Sequence, residues 1–166
     1  MSTLDYYCCY DKALRFGDQF ALRRLWFRHS GENILVSFLG LRIYLVEDNA
    51  IIRDNLAAAL AELADTTQCG TADGEKAAVE WFKAHPDAWD LAIVDIFLIE
   101  GNGLGVVAAG KARRSDQKLV VLTNYASTGV RDQCLKLGAD AVFDKSHDIE
   151  NLVDFCLKQS ANPRNH

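Results

Sequence analysis

The sequence carries no excess of positive charge. Lys and Arg number 18 against 23 Asp and Glu, for a net charge of −5 and an isoelectric point near 5.3. General nucleic-acid binding wants a basic face, so this balance argues against it and leaves room only for a local patch. Cys-x-x-Cys spacing is also missing. The five cysteines (Cys8, Cys9, Cys69, Cys134, Cys156) are odd in number, and no pair is spaced like a zinc or redox site. Free thiols in a reducing cytosol are the simplest reading, which points to a cytoplasmic protein. No secretory signal opens the chain, since the first residues are polar and aromatic without a basic start or an apolar core. Near the N-terminus the longest apolar stretch, Ile34 to Leu41, is broken by Ser37 and Gly40 and stopped by Arg42. A bilayer span needs about 20 residues, so no membrane insertion is expected.

What is present is the make-up of a globular protein, 49% hydrophobic and 25% charged. The 166 residues suffice for one domain of roughly 100–150 residues and an extension. Residues 1–40 differ from the rest. They are rich in aromatics, from Tyr6 to Phe38, and hold no motif and no helix-turn-helix pattern. Leu14, Leu22, Leu25 and Trp26 can share one face of a helix over 12–28. Two readings stand for this segment. In one it is a helical extension that docks on the domain or a partner. In the other the start is mis-annotated: Met1 is the only methionine, and Leu35 or Val36 marks a non-ATG start.

From Leu41 the pattern is regular. Apolar strands are expected at 43–46, 66–71, 91–95, 118–122 and 141–143. Helices are expected at about 50–64, 74–84, 103–114, 127–137 and 148–160. In the first helix Ile52, Leu56, Ala59, Leu60 and Leu63 recur at spacings of three and four, and six alanines add propensity. Asn49 or Asp48, Asp73, Ser127 and Asp148 stand where caps belong, and Gly138 suits a left-handed helix end. Ala77, Ala78, Trp81 and Phe82 should face inward from the second helix. Five strands alternating with five helices, joined by right-handed crossovers, give a doubly wound α/β fold. A five-stranded parallel sheet of the flavodoxin-like (βα)5 kind, strand order 2-1-3-4-5, fits a unit of about 125 residues. The domains are then 1–40, 41–160 and a tail at 161–166.

The central stretch is Leu91 to Asp95, four apolar residues running into a lone carboxylate. A strand buried on both faces reads this way, and the Asp belongs at its carboxyl end, where such sheets bind ligands. Asp95 could instead merely cap a loop. The other strand ends decide between the two. The first gives Glu47 and Asp48, the fourth Thr123, the fifth Lys145, and the proposed order lets these ends converge. Three carboxylates in one crevice repel unless a cation binds, and Mg2+ suits oxygen donors. Mg2+ and Lys145 together balance the three negative charges. The same set can hold the oxygens of a phosphoryl group, with Asp95 as the carboxylate nucleophile.

Residues 41–160 resemble the receiver domain of bacterial two-component response regulators. The matching pieces are Leu-Val-Glu-Asp-Asn at 45–49, Ile-Val-Asp at 93–95, Leu-Thr-Asn at 122–124 and Asp-Lys-Ser at 144–146. The resemblance implies that Asp95 is the phosphoacceptor, that Thr123 is the switch hydroxyl and that Lys145 is the phosphate-facing cation. It implies Mg2+ on Asp48 and Asp95, on Glu47 through water, and on the backbone carbonyl of Phe97. It implies a sensor histidine kinase or a histidine phosphotransfer protein as donor, and a downstream protein read through the face of the fourth helix, fifth strand and fifth helix. A second copy of the chain, on phosphorylation, is a further candidate partner. Such a chain is no enzyme on other substrates and catalyses only its own phosphorylation and dephosphorylation. The last helix ends about six residues before the C-terminus, so a stand-alone receiver is expected.

The sequence departs from the family at three places. Asn124 replaces the usual small residue after Thr123, and Ser146 replaces the common Pro after Lys145. Val142 stands where many receivers carry an aromatic that swings inward, with Phe143 after it. Phe97 and Tyr125 flank the site and bear on water access. A phosphatase of the haloacid dehalogenase type would want a second Asp where Phe97 stands. A non-phosphorylated interaction module would not need all five site residues. Gly101, Gly103 and Gly105 read as a loop and helix start, and Arg113-Arg114 as solvated surface.

Overall fold

A computed structural model describes residues 22–29 and 32–161, with side-chain detail from Gly40 to Ala161. The chain divides into two compact units, Met1–Gly40 and Leu41–His166. In the first, β1 (Leu22–His29) pairs antiparallel with β2 (Glu32–Leu39), from Leu22 opposite Leu39 to His29 opposite Glu32. The helix expected over 12–28 is therefore a strand from Leu22 onward, and residues 12–21 lie outside the described residues. Leu22, Leu25 and Trp26 have helical spacing, but the neighbouring Phe27, Ile34, Val36 and Phe38 are strand formers. Only Ser30 and Gly31 separate the two runs, which is hairpin spacing.

The second unit runs β3 (Leu41–Val46), α1 (Ala50–Ala64), β4 (Thr66–Ala72), α2 (Glu75–Ala84), β5 (Leu91–Val94), α3 (Gly103–Ala109), β6 (Lys118–Thr123), α4 (Thr128–Leu137), β7 (Ala141–Asp144) and α5 (Ile149–Ser160). The sheet is parallel in the order β4-β3-β5-β6-β7, which within this unit is 2-1-3-4-5. Among the described residues no helix is long and apolar enough to cross a membrane.

Alternation along each strand sorts the core into two layers. Ile43, Leu45, Leu91, Ile93, Val120 and Leu122 pack with Leu60, Ala64, Leu152 and Cys156 of α1 and α5. Tyr44, Val46, Ala92, Val94, Leu119 and Val121 pack with Ala78, Val106, Val107 and Cys134 of α2, α3 and α4. Both faces are covered, so the strands read as unbroken apolar runs. Trp81 and Phe82 join the second layer, Trp81 stacked on Tyr44 at 3.9 Å between ring centroids.

Some local expectations change. The Asn49 side chain caps α1, accepting from the amides of Ile51 and Ile52 at 3.0 and 3.2 Å. In α1 Leu60 and Ala64 are buried and Leu56 is half-buried against them, while Ile52 and Leu63 are exposed. Ala77 also faces out; Ala78 alone of the pair is buried. Asp73 does not cap α2. Gly74 is the cap residue, and the Glu75 amide donates to the carbonyl of Glu100 at 3.0 Å. The third helix is shorter than expected, giving way to a 3-10 turn over Gly110–Ala112. Gly138, at φ +115°, ends α4 in the left-handed conformation.

Candidate functional site

The ladder continues one residue past the strand ends and sets the site in register. The Glu47 amide donates to Ala72 O at 3.0 Å, the Asp95 amide to Val46 O at 2.9 Å, and the Lys145 amide to Thr123 O at 2.9 Å. Side chains at the ends of β3, β5, β6 and β7 therefore share one edge of the sheet. Close packing holds Asp95 there. The Gly103 amide donates to Ile96 O at 2.9 Å, and a Cβ at Gly103 would stand 2.0 Å from the Asp95 carbonyl oxygen. Only glycine lets α3 approach this closely.

Lys145 joins two of the acids. Its Nζ lies 2.5 Å from Glu47 Oε2 and 2.7 Å from Asp95 Oδ2, with all three side chains largely buried. Burial disfavours the ammonium, but the hydrogen bonds to Asp95 and Glu47 outweigh it and raise the Lys145 pKa. Lys145 is thus charged at neutral pH. The second oxygens are loosely held: Asp95 Oδ1 accepts from the Phe97 amide at 3.2 Å, and Glu47 Oε1 from the Asn49 amide at 3.3 Å. Thr123 is fully buried, its Oγ1 accepting from the Tyr125 amide at 3.4 Å. Asp48 turns elsewhere, accepting from the Ile99 amide at 2.8 Å through Oδ2.

Hence four of the expected residues, Glu47, Asp95, Thr123 and Lys145, are tied together by direct or backbone bonds, and Asp48 is held against the loop after β5. Among the described residues no group of three or more His, Cys, Asp or Glu side chains stands ready to hold a metal ion. The donor set nonetheless fits a hard divalent cation in kind. Its oxygens are carboxylates, and with Lys145 paired the three acids keep a net charge of −2. Asp48 would have to turn only its second carboxylate oxygen to the ion, since the Ile99 amide engages Oδ2 alone.

Phe97 and Tyr125, whose amides donate to Asp95 and Thr123, have rings 55% and 67% exposed that pack edge to face at 5.2 Å between centroids. The roles of two arginines are set by partners the sequence does not show. Arg53 donates through a terminal guanidinium nitrogen to the carbonyl of Glu47 at 2.9 Å, pinning the loop after β3. As the only basic residue of α1 it had a signal, but no partner was visible in sequence. Arg113 is no solvated surface charge. It is largely buried and donates to Asp140 at 2.6 Å and to the carbonyls of Gly110, Gln117 and Gly138.

Comparison with known proteins adds an independent line. The family model of the response regulator receiver domain matches residues 43–156. The photosynthetic apparatus regulatory protein RegA of Rhodobacter capsulatus is 29% identical over 121 residues, 69% of this chain and 60% of that protein. RegA of Cereibacter sphaeroides is 32% identical over 115 residues, with the same two shares. The chain thus spans about three fifths of the length of these relatives. Among solved structures, the receiver domain of the putative response regulator NarL from Mycobacterium tuberculosis overlays with a TM-score of 0.64 at 22% identity, covering 75% of this chain and 98% of that one. The non-phosphorylated HemR receiver domain from Leptospira biflexa gives 0.63 at 25% identity, covering 76% and 98%. A parallel sheet in this order, with these residues at its carboxyl edge and a family match across 43–156, leaves one conclusion: the chain belongs to the response regulator receiver domains, modules of phosphorylation-dependent signalling.

Proposed function

We propose that Asp95 accepts a phosphoryl group from a phosphohistidine of a sensor histidine kinase or a histidine phosphotransfer protein. The carrying observation is the buried Glu47–Lys145–Asp95 cluster, with Lys145 Nζ 2.7 Å from Asp95 Oδ2. A carboxylate oxygen of Asp95 forms the new P–O bond as the donor's P–N bond breaks and the imidazole leaves. Lys145 holds a phosphoryl oxygen and offsets its charge, and the Thr123 hydroxyl donates to another. Such transfer is mostly positioning and electrostatic stabilisation, which a small rigid set supplies. Glu47, Asp48, Asp95 and the Phe97 carbonyl would hold Mg2+, which neutralises charge on the phosphoryl oxygens when bound.

The acyl phosphate adds charge and acceptor oxygens beside Thr123. The Thr123 side chain is drawn toward them, and the face of α4, β7 and α5 changes shape for a downstream protein to read. The buried thiols of Cys134 and Cys156 fit a reducing, cytoplasmic setting.

The test is the intact mass of the purified chain with acetyl phosphate and Mg2+, with and without chelator. One phosphoryl group is expected, absent in Asp95→Asn and without Mg2+. Should neither acetyl phosphate nor a phosphohistidine donor protein add mass, the reading fails.

A further inference from the structure

The first turn of α4 is poorly supported by its own sequence. It reads Thr128-Gly129-Val130, a glycine between two β-branched residues. Nothing lies within 4 Å of a Cβ placed at Gly129, so packing does not require glycine there. The Ser127 cap is long, its Oγ accepting from the Val130 amide at 3.4 Å. Cys134 is the only fully buried residue of the helix.

One side chain makes up for this. Arg131 Nε donates to Ala126 O at 3.0 Å, in the loop after β6. One terminal nitrogen donates to the carbonyl of Val142 in β7, and the other to Asp148 Oδ2 at 2.9 Å, before α5. Asp148 is itself anchored, accepting from the Asp144 amide at 3.0 Å and from Asn151 Nδ2 at 3.0 Å. A single guanidinium thus joins three elements around α4. Both ends of this clasp adjoin the phosphoryl site. Ala126 is three residues from Thr123, and Asp144 is covalently next to Lys145. The aromatic swing available to many receivers has no counterpart, since Val142 is not aromatic and Phe143 is already buried against Phe155.

We propose that Arg131 is the positioning residue that couples Asp95 to the α4–β7–α5 face. The inference rests on the phosphorylation reading above. Before phosphorylation the clasp holds the first turn of α4 down. When Thr123 is drawn inward, the two residues between it and Ala126 carry the Ala126 carbonyl along. A planar fork serving three fixed acceptors cannot follow one without leaving it. The Nε bond to Ala126 opens, and the propensity-poor turn loosens.

Hydrogen exchange of peptides covering 124–137, read with intact mass on the same full-length samples, tests this. In the native chain acetyl phosphate with Mg2+ should speed exchange in this segment roughly tenfold, the effect of losing a charged hydrogen bond. Arg131→Lys keeps the charge but loses the fork. It should exchange fast before phosphorylation and gain little after it, while phosphoryl uptake at Asp95 is unchanged. Asp148→Asn, a milder change, should fall between the two and carries the test if Arg131→Lys fails to fold. Native protection and a native response in both variants would overturn the clasp, as would phosphorylation of the native chain without any change in exchange. A native chain that takes up no phosphoryl group would instead overturn the function, and the coupling with it.

Discussion

At the residue scale, Lys145 is the side chain on which most of the site depends. It stands between two largely buried carboxylates, so its removal leaves like charges facing each other in a poorly solvated place. Lys145→Met should lower the unfolding free energy by about 3 kcal/mol. Urea titration of native and variant chains at pH 7 measures this, and an unchanged midpoint would show that solvent already screens the pair. Phe97 and Tyr125 bear on a different quantity, the lifetime of the phosphoryl group. The two rings pack on each other, each two residues beyond a site residue, a placement that would hinder an attacking water. Phe97→Ala and Tyr125→Ala should each hydrolyse the acyl phosphate several-fold faster, followed by loss of the added mass over time; unchanged rates would refute the role. Asp95, Thr123 and Lys145 were legible in sequence because each follows an apolar strand. Arg53, Arg113 and Arg131 were not. Their acceptors are largely backbone carbonyls and distant acids, which no spacing reveals.

At the element scale, the approach of α3 to β5 is the tightest constraint near the site. A methyl at Gly103 would meet the Asp95 carbonyl at 2.0 Å and the Ile96 Cα at 2.6 Å, both backbone atoms that cannot swing aside. Gly103→Ala should therefore cost about 1–3 kcal/mol of stability. It should also displace Asp95, so that phosphoryl uptake falls with the melting temperature; uptake at the native rate would mean that α3 moves instead. Helix α4 is the opposite case, an element whose existence was plain in sequence but whose support is tertiary. The hairpin β1–β2 shows where periodicity misleads. Leucine and tryptophan at helical spacing outweighed the β-branched and aromatic neighbours and the two-residue Ser30-Gly31 link.

At the scale of the whole second unit, the turn after Lys145 contributes to how stability varies with pH. The Ser146 amide, followed by His147, holds the Asp144 carboxyl below its ordinary value. The Asp144 amide, with Arg131 and Asn151, does the same for Asp148. A depressed folded pKa stabilises fully above the unfolded value near 4 and is lost as pH falls through the folded value. The melting temperature should hold between about pH 7 and pH 5 and drop below pH 4, less steeply in Asp148→Asn. Lys145, raised when folded, acts in the other direction, and its contribution is lost only at strongly alkaline pH. The same Asp144 turn explains how the chain manages without proline at Ser146. The Ser146 amide donates to Asp144 Oδ1 at 2.7 Å, and the His147 and Asp148 amides donate to the Asp144 carbonyl.

By itself the sequence determined the five-stranded alternation, the core runs, most helix ends and the identity of the strand-end residues. These rest on periodicity, propensity and capping, which are local properties of neighbouring residues. Tertiary structure decided the rest. It set which residues of α1 and α2 are buried, since that depends on which strand residues they meet across the sheet. It placed Asp48 on the Ile99 amide and Lys145 between Glu47 and Asp95, partners 51, 98 and 50 residues apart in the chain. It also chose the three acceptors of Arg131, which come from separate elements and meet only when the sheet has closed around them.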